Sequence, residues 1–388
     1  MKYLFIYLIS LLIGSSLFAQ QLNGFTKPTG KVYALVVGIS DYEDPSLKLQ
    51  YADSDAIYFS RFLVSKAGGS VPKENIQLLT NSSATNGAIY NAIYWLIKTC
   101  KKDDYVYFYF SGHGDIENIT MFKNAFFICY NSPRVNYAGM ALSVDYLNKI
   151  AHTLAVQTQA KVILITDACH SGKLTESESV TNQLVGKELL DAQKKEIRIA
   201  SCQPNQLSNE NNHWGNGRGV FSFYLENGIK GLADANNDGW VTLGEIKNYL
   251  ELNMQNDLLL KQENKKQTPV LIGEDYDFPL FAVDREELIT TKAMVQKDSI
   301  RDMNLKIVNA SPEENDEDLQ PEEYFFSLLK DQKLDELTDT LKLYELPAEQ
   351  IPFAILNTLK DNVSTDKEER KLSQLETQLR SNRDVLKL

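Results

Sequence analysis

Apolar residues along this chain follow two alternating rhythms. Apolar-rich runs recur: VYALVVGI (Val32–Ile39), NIQLLT (Asn75–Thr80), DYVYFYF (Asp104–Phe110), KVILIT (Lys161–Thr166), EIRIAS (Glu196–Ser201) and TPVLIG (Thr268–Gly273). Val32–Ile39, continuous and β-branched, predicts a strand buried on both faces, and the other five read as further strands. Between them, apolar positions recur at helical spacing. ADSDAIYFSRFL (Ala52–Leu63) sets Ala52, Ala56, Phe59 and Leu63 on one face. NGAIYNAIYWLIKT (Asn86–Thr99) is a second helix, a third is capped by Ser143 and runs to about His152, and a fourth spans about Val220 to Ile229. Pro269 stands at the start of its strand, where a missing N–H is tolerated. Strands alternating with helices predict an α/β fold, a mostly parallel sheet covered on both faces.

The two ends of the chain break this rhythm. Residues 1–19 carry one early charge, Lys2, an apolar stretch to about Leu12 and small residues before Ala19. That is the shape of a signal peptide, so the mature chain is expected to be exported, to periplasm or outside, without integral membrane contact. No cysteine sits at the cleavage point to take a lipid. From Ser311 to Glu323 the chain is acidic, with Pro312 and Pro321, and reads as a linker. Residues 324–388 carry short amphipathic helical patterns and no catalytic pattern, so a small helical appendage is expected there.

Charge and cysteine content narrow the function. A net charge of -12 argues against nucleic acid or an anionic membrane as partner. Cys100, Cys129, Cys169 and Cys202 are too few for a disulfide framework, and no Cys/His spacing suits zinc. No pattern in the sequence specifies an oligomeric state.

In open parallel sheets, sites form beyond the carboxyl ends of the strands. The third strand ends in SGHG (Ser111–Gly114) and the fourth in DACHSG (Asp167–Gly172). A thiol needs a base to become a nucleophile near neutral pH. His170 is adjacent to Cys169 and should project away from it, so His113, on another element, is the expected base. His170 has a supporting part. The backbone N–H groups of Gly114 and Cys169 are the candidate oxyanion donors. Alone, Cys169 would read as a core thiol and His113 as a hydrogen-bonded loop residue. Together at successive strand ends, they point to cysteine catalysis.

DANNDGWVTLGE (Asp234–Glu245) matches an EF-hand loop position by position. Asp234, Asn236 and Asp238 supply side-chain oxygens, Trp240 its carbonyl, Thr242 a water-mediated contact and Glu245 two oxygens, with Gly239 at the sharp turn. Calcium is therefore a candidate ligand. The competing reading is a turn whose polar groups bond backbone without metal.

The chain resembles the caspase-like cysteine peptidases, of peptidase C14 type, and among them the metacaspase-like bacterial branch. The resemblance is carried in order by VVGISDYED, YADSDA, YFYFSGHGD, LITDACHSG, IASC, GRGVFSFYLENGIKGLAD and QTPVLIG. It implies a caspase-type α/β/α sandwich over residues 30–284. Its six-stranded sheet would be mainly parallel with an antiparallel last strand, and His113 and Cys169 would be its dyad. It also implies an acidic pocket for a basic side chain. Asp167 and Ser111 take two of its positions, and Asp55 is the better match of the two aspartates in YADSDA. The expected partners are protein or peptide substrates with Arg or Lys at the cleavage site. The segment Lys173–Lys195, where family members are often cut, would be open to self-processing. The sequence around Cys169 differs from that of true caspases, so cleavage after aspartate is not implied. Two alternatives stand beside this reading: a catalytically silent caspase-like binding or scaffolding module, and a clostripain- or gingipain-like peptidase of the same clan.

Overall fold

The computed structural model describes residues 30–116, 124–133, 137–168, 196–203 and 206–295, with helical pieces at 354–358, 372–374 and 376. The expected signal peptide, Cys169 and His170, the segment 173–195 and the acidic linker lie outside the described residues.

The chain divides into two compact units, Met1–Asp284 and Arg285–Leu388. The first holds the sheet. Its strands are β1 (Val32–Gly38), β2 (Ile76–Thr80), β3 (Tyr105–Ser111), β4 (Lys161–Asp167), β5 (Glu196–Ala200) and β6 (Val270–Ile272), in the order β6-β5-β4-β3-β1-β2. All neighbours are parallel except β6, which runs antiparallel to β5, as the resemblance implies. Each strand coincides with a predicted apolar-rich run, and where β5 buries Glu196 and Arg198 the two form an ion pair at 2.6 Å.

Side-chain alternation splits the core into two layers. Leu35 and Val37 of β1, Phe108 of β3 and Leu164 of β4 pack against α2 (Asn86–Thr99) and α3 (Val144–His152). Val36, Tyr109 and Ile165 face the other way. There they meet α1 (Ala52–Val64), α4 (Val220–Asn227) and α5 (Leu243–Asn256). Phe59 of α1 stacks on Tyr109 at 4.8 Å between ring centroids. Burying each such large side chain contributes roughly 1.5–3 kcal/mol. The result is an α/β/α sandwich.

Gly38, Ser111 and Asp167 are register partners across β1, β3 and β4. By alternation all three face α1 and α4 at the carboxyl edge of the sheet. A Cβ on Gly38 would lie 2.4 Å from both Ala52 O and Ala56 Cβ. Only glycine there lets the first turn of α1 lie on the strand end.

Shorter strands complete this unit. Gly114–Ile116, Ala125–Phe127 and Leu142–Ser143 form an antiparallel sheet, Glu210–Asn211 pairs with Arg218–Gly219, and Trp240–Thr242 pairs with Pro279–Ala282. In the second unit a helix covers 285–295, and further helix appears at 354–358. No helix among the described residues is long and apolar enough to cross a membrane.

Candidate active site

His113 follows β3 by two residues and is fully buried. Its N–H donates to Tyr42 Oη at 2.8 Å, and the two rings lie 5.2 Å apart. Its Nε2 lies 2.8 Å from the carbonyl oxygen of Leu47. A carbonyl only accepts, so Nε2 carries the proton and Nδ1 keeps its lone pair. The Leu47 carbonyl thereby selects the Nε2–H tautomer, in which Nδ1 is an acceptor. Gly114 opens the strand Gly114–Ile116 directly after it.

Asp167 ends β4 and is 1% exposed. Its Oδ2 accepts from Ser222 Oγ of α4 at 2.9 Å, and Ser222 Oγ is 2.7 Å from Tyr109 Oη. Its Oδ1 is buried with no hydrogen-bond partner. Burial pushes Asp167 above the usual carboxylate range, offset in part by the hydroxyls of Ser208, Ser222 and Ser201. Ser111, beside it in register, is also buried. Cys169, two residues further on, lies outside the described residues.

Asp55 sits in the first turn of α1 and is 2% exposed. A Cβ on Gly219 would lie 2.9 Å from Asp55 Oδ2 and 2.9 Å from Asp167 Oδ2, so the two carboxylates converge on the same stretch of backbone. Burial pushes Asp55 up to about 8; Arg218 pulls it back and Asp167 adds to the rise. The structure thus brings Asp55, Ser111 and Asp167 to one edge. Asp53 is tied elsewhere, accepting from Ser40 Oγ at 2.7 Å and Asn81 Nδ2 at 2.9 Å.

Sequence reasoning passed over Arg218. Its Nε donates to Asp55 Oδ1 at 2.5 Å and its Nη1 to Glu226 Oε2 at 2.7 Å. The guanidinium carbon lies 4.2 Å from the centroid of the Tyr58 ring. Burial opposes its charge, but Glu226 and Asp55 outweigh that and hold it protonated. Glu226, despite its burial, is kept below the usual carboxylate range by Arg218 and Lys230. One signal was available: Glu226 falls on an apolar helix, and a buried charge needs a partner.

Burial makes Cys100 and Cys129 poor nucleophiles. Cys100, Cys129 and Cys202 are buried free thiols, and burial pushes Cys100 and Cys129 up to about 12.

The loop Asp234–Glu245 turns sharply at Gly239. Gly239 has φ +88°, and Asp234 accepts the N–H groups of Asp238 and Gly239 at 3.1 and 3.0 Å. Asn236 Oδ1 also accepts from Asp238 N, and Trp240 N donates to Asp238 Oδ1. Thr242 caps α5 with Glu245 in a reciprocal box, and Glu245 Oε1 accepts from Ala235 N at 3.2 Å. Burial pushes Asp234 up and nearby Asp238 and Glu245 add to it, against the two N–H groups. Among the described residues no three His, Cys, Asp or Glu converge as a metal-holding set. The oxygen donor types still suit calcium.

The sequence model of the caspase-domain peptidases, family C14, matches residues 31–278. Metacaspase-1A of Aspergillus oryzae is 35% identical over 92 residues, 22% of this chain and 21% of its own length. Metacaspase-1 of Cryptococcus neoformans is 31% identical over 102 residues, 25% of this chain and 22% of its own. The matched stretch is thus about a fifth of each of these relatives. A solved Geobacter sulfurreducens protein, 18% identical, aligns over 66% of this chain and 100% of its own with a TM-score of 0.45, too weak a likeness to add to the family match.

Proposed function

This chain belongs to the caspase-domain peptidase family, and from that premise we propose that it is a metacaspase-type cysteine endopeptidase cleaving after Arg or Lys. The observation that carries the reading is His113, its tautomer fixed by the Leu47 carbonyl at the sheet edge where Asp167 leads into Cys169. The Cys169 thiol gives its proton to His113 Nδ1, and the thiolate attacks the carbonyl carbon of the scissile bond. The carbonyl oxygen takes the negative charge and is held by the N–H groups of Gly114 and Cys169. The amine leaves with the proton from His113. A water deprotonated by His113 then breaks the thioester, releasing the acid and restoring the thiol. The acidic pocket built on Asp167, Asp55 and Ser111 receives the basic side chain before the cleaved bond.

Two further parts of the reading concern the whole chain. Residues 1–19 direct export, and N-terminal sequencing of the secreted product should find a start near Gln20. Calcium is held by Asp234, Asn236, Asp238, the Trp240 carbonyl, Thr242 and Glu245, where it braces the start of α5.

The test is turnover of fluorogenic Arg and Lys peptides alongside a thiol-directed activity probe. Cys169→Ala and His113→Ala should each lower kcat/KM by about a thousandfold or more. Cys202→Ala should retain most activity. Near wild-type turnover by Cys169→Ala would overturn the mechanism.

A further inference from the structure

The acidic pocket already contains a cation of the chain's own. Both oxygens of Asp55 are engaged, Oδ1 by Arg218 Nε at 2.5 Å and Oδ2 by Gly219 N at 3.0 Å. Arg218 in turn reaches Glu226 at 2.7 Å and the Ser222 carbonyl at 3.4 Å, and Lys230 holds the other oxygen of Glu226 at 2.5 Å. Asp167 differs. Its Oδ2 takes the Ser222 hydroxyl, and its buried Oδ1 has no hydrogen-bond partner. The three carboxylates Asp55, Asp167 and Glu226 therefore meet two resident cations, and the deficit lies at Asp167.

A substrate arginine could meet this arrangement in two ways. Displacing Arg218 would leave buried Asp55 with no cation and buried Glu226 with Lys230 alone, and breaking a buried pair by removing one partner is strongly unfavourable. Docking on Asp167 strands nothing and supplies a donor to an orphaned oxygen. We propose that Arg218 is a permanent resident of the pocket that takes Asp55 out of direct contact with substrate, so that Asp167 alone meets the positive charge before the cleaved bond. This rests on the basic-specific reading above and assigns its roles. Asp55 becomes a positioning residue: through Arg218 and Gly219 it holds the short strand Arg218–Gly219 as the pocket wall. With one free carboxylate oxygen, the fork of arginine gains little over the point charge of lysine.

Matched fluorogenic peptides carrying Arg, Lys or norleucine before the cleaved bond test this in the full chain. Wild type should cleave Arg and Lys peptides within about fivefold of each other and both well above norleucine. Asp167→Asn should collapse the cationic-to-norleucine ratio by at least about tenfold. The double variant Asp55→Asn with Arg218→Gln should lower kcat/KM for all three peptides alike, leaving that ratio within about threefold of wild type. Collapse of the ratio in the double variant, as in Asp167→Asn, would overturn the proposal. So would a wild-type preference for Arg over Lys above about thirtyfold, a readout that needs no variant to fold. A wild type that turns over peptides without favouring cations would instead overturn the basic-specific reading, and no turnover at all would overturn the peptidase reading.

Discussion

The proposed pocket at the strand ends and the loop Asp234–Glu245 both gather acidic side chains, and they hold them differently. The pocket draws Asp55, Asp167 and Glu226 from three separate elements and buries them. The loop draws Asp234, Asp238 and Glu245 from one short run and satisfies them with nearby N–H groups and the Thr242 hydroxyl. Burial is the difference that matters. A carboxylate deep in the protein needs a paired and hydrogen-bonded cation, and here the chain provides Arg218. Near the surface, backbone dipoles and water suffice. The loop's oxygens thus remain able to accept an ion from solution, whereas two of the pocket's three carboxylates have their cation built in.

Removing the cation should separate the two regions most sharply. Arg218→Met leaves Asp55 and Glu226 without their buried partner, so urea unfolding should show a loss of about 3–5 kcal/mol. Asp238→Asn in metal-free buffer should change stability by no more than about 0.5 kcal/mol. Equal losses would break the comparison.

Asp115 sharpens it as a buried acid of a third kind. It is fully buried, takes the Tyr137 hydroxyl at 2.8 Å, and its Oδ1 has no hydrogen-bond partner. Burial pushes it up to about 6 against that hydroxyl and the Ile116 N–H. Because its folded value is raised, its contribution to stability is full below the unfolded value near 4. That contribution is lost as pH rises through 6. Between pH ~4 and ~7 wild type should therefore lose up to about 3 kcal/mol relative to Asp115→Asn, read from urea melts at stepped pH. Parallel curves for the two proteins would show that Asp115 ionises freely.

The smallest effect belongs to the loop. Calcium at ten to a hundred times its Kd should stabilise the chain by about 1–3 kcal/mol, seen as a rise in Tm. Glu245→Gln should abolish the rise, and Arg218→Met should keep it. No calorimetric signal at millimolar calcium would reduce the loop to a capped turn.

The six strands were legible because each is rich in apolar residues, and the predicted ends lie within two residues of those observed. The sheet Gly114–Ile116, Ala125–Phe127 and Leu142–Ser143 was not, since strands this short show no period. The pairing of Pro279–Ala282 with Trp240–Thr242 left no sequence signal either, since it is set by tertiary packing. Within the site, the meeting of Asp55, Ser111 and Asp167 follows from strand register and from Gly38 admitting α1. The Leu47 carbonyl left no trace, because every residue carries that group. Arg218 was hidden by distance along the chain, and only the misplaced charge of Glu226 hinted at it.

That distance has a kinetic consequence. Arg218 and Asp55 are 163 residues apart, whereas the Asp234–Gly239 contact closes over 5. Closing a long loop costs more chain entropy, and contacts of high sequence separation form late. On dilution from urea the loop Asp234–Glu245 should therefore assemble early and the Asp55–Arg218 cluster last. Until that cluster closes, the refolding chain would hold its sheet with Asp55 and Arg218 still apart.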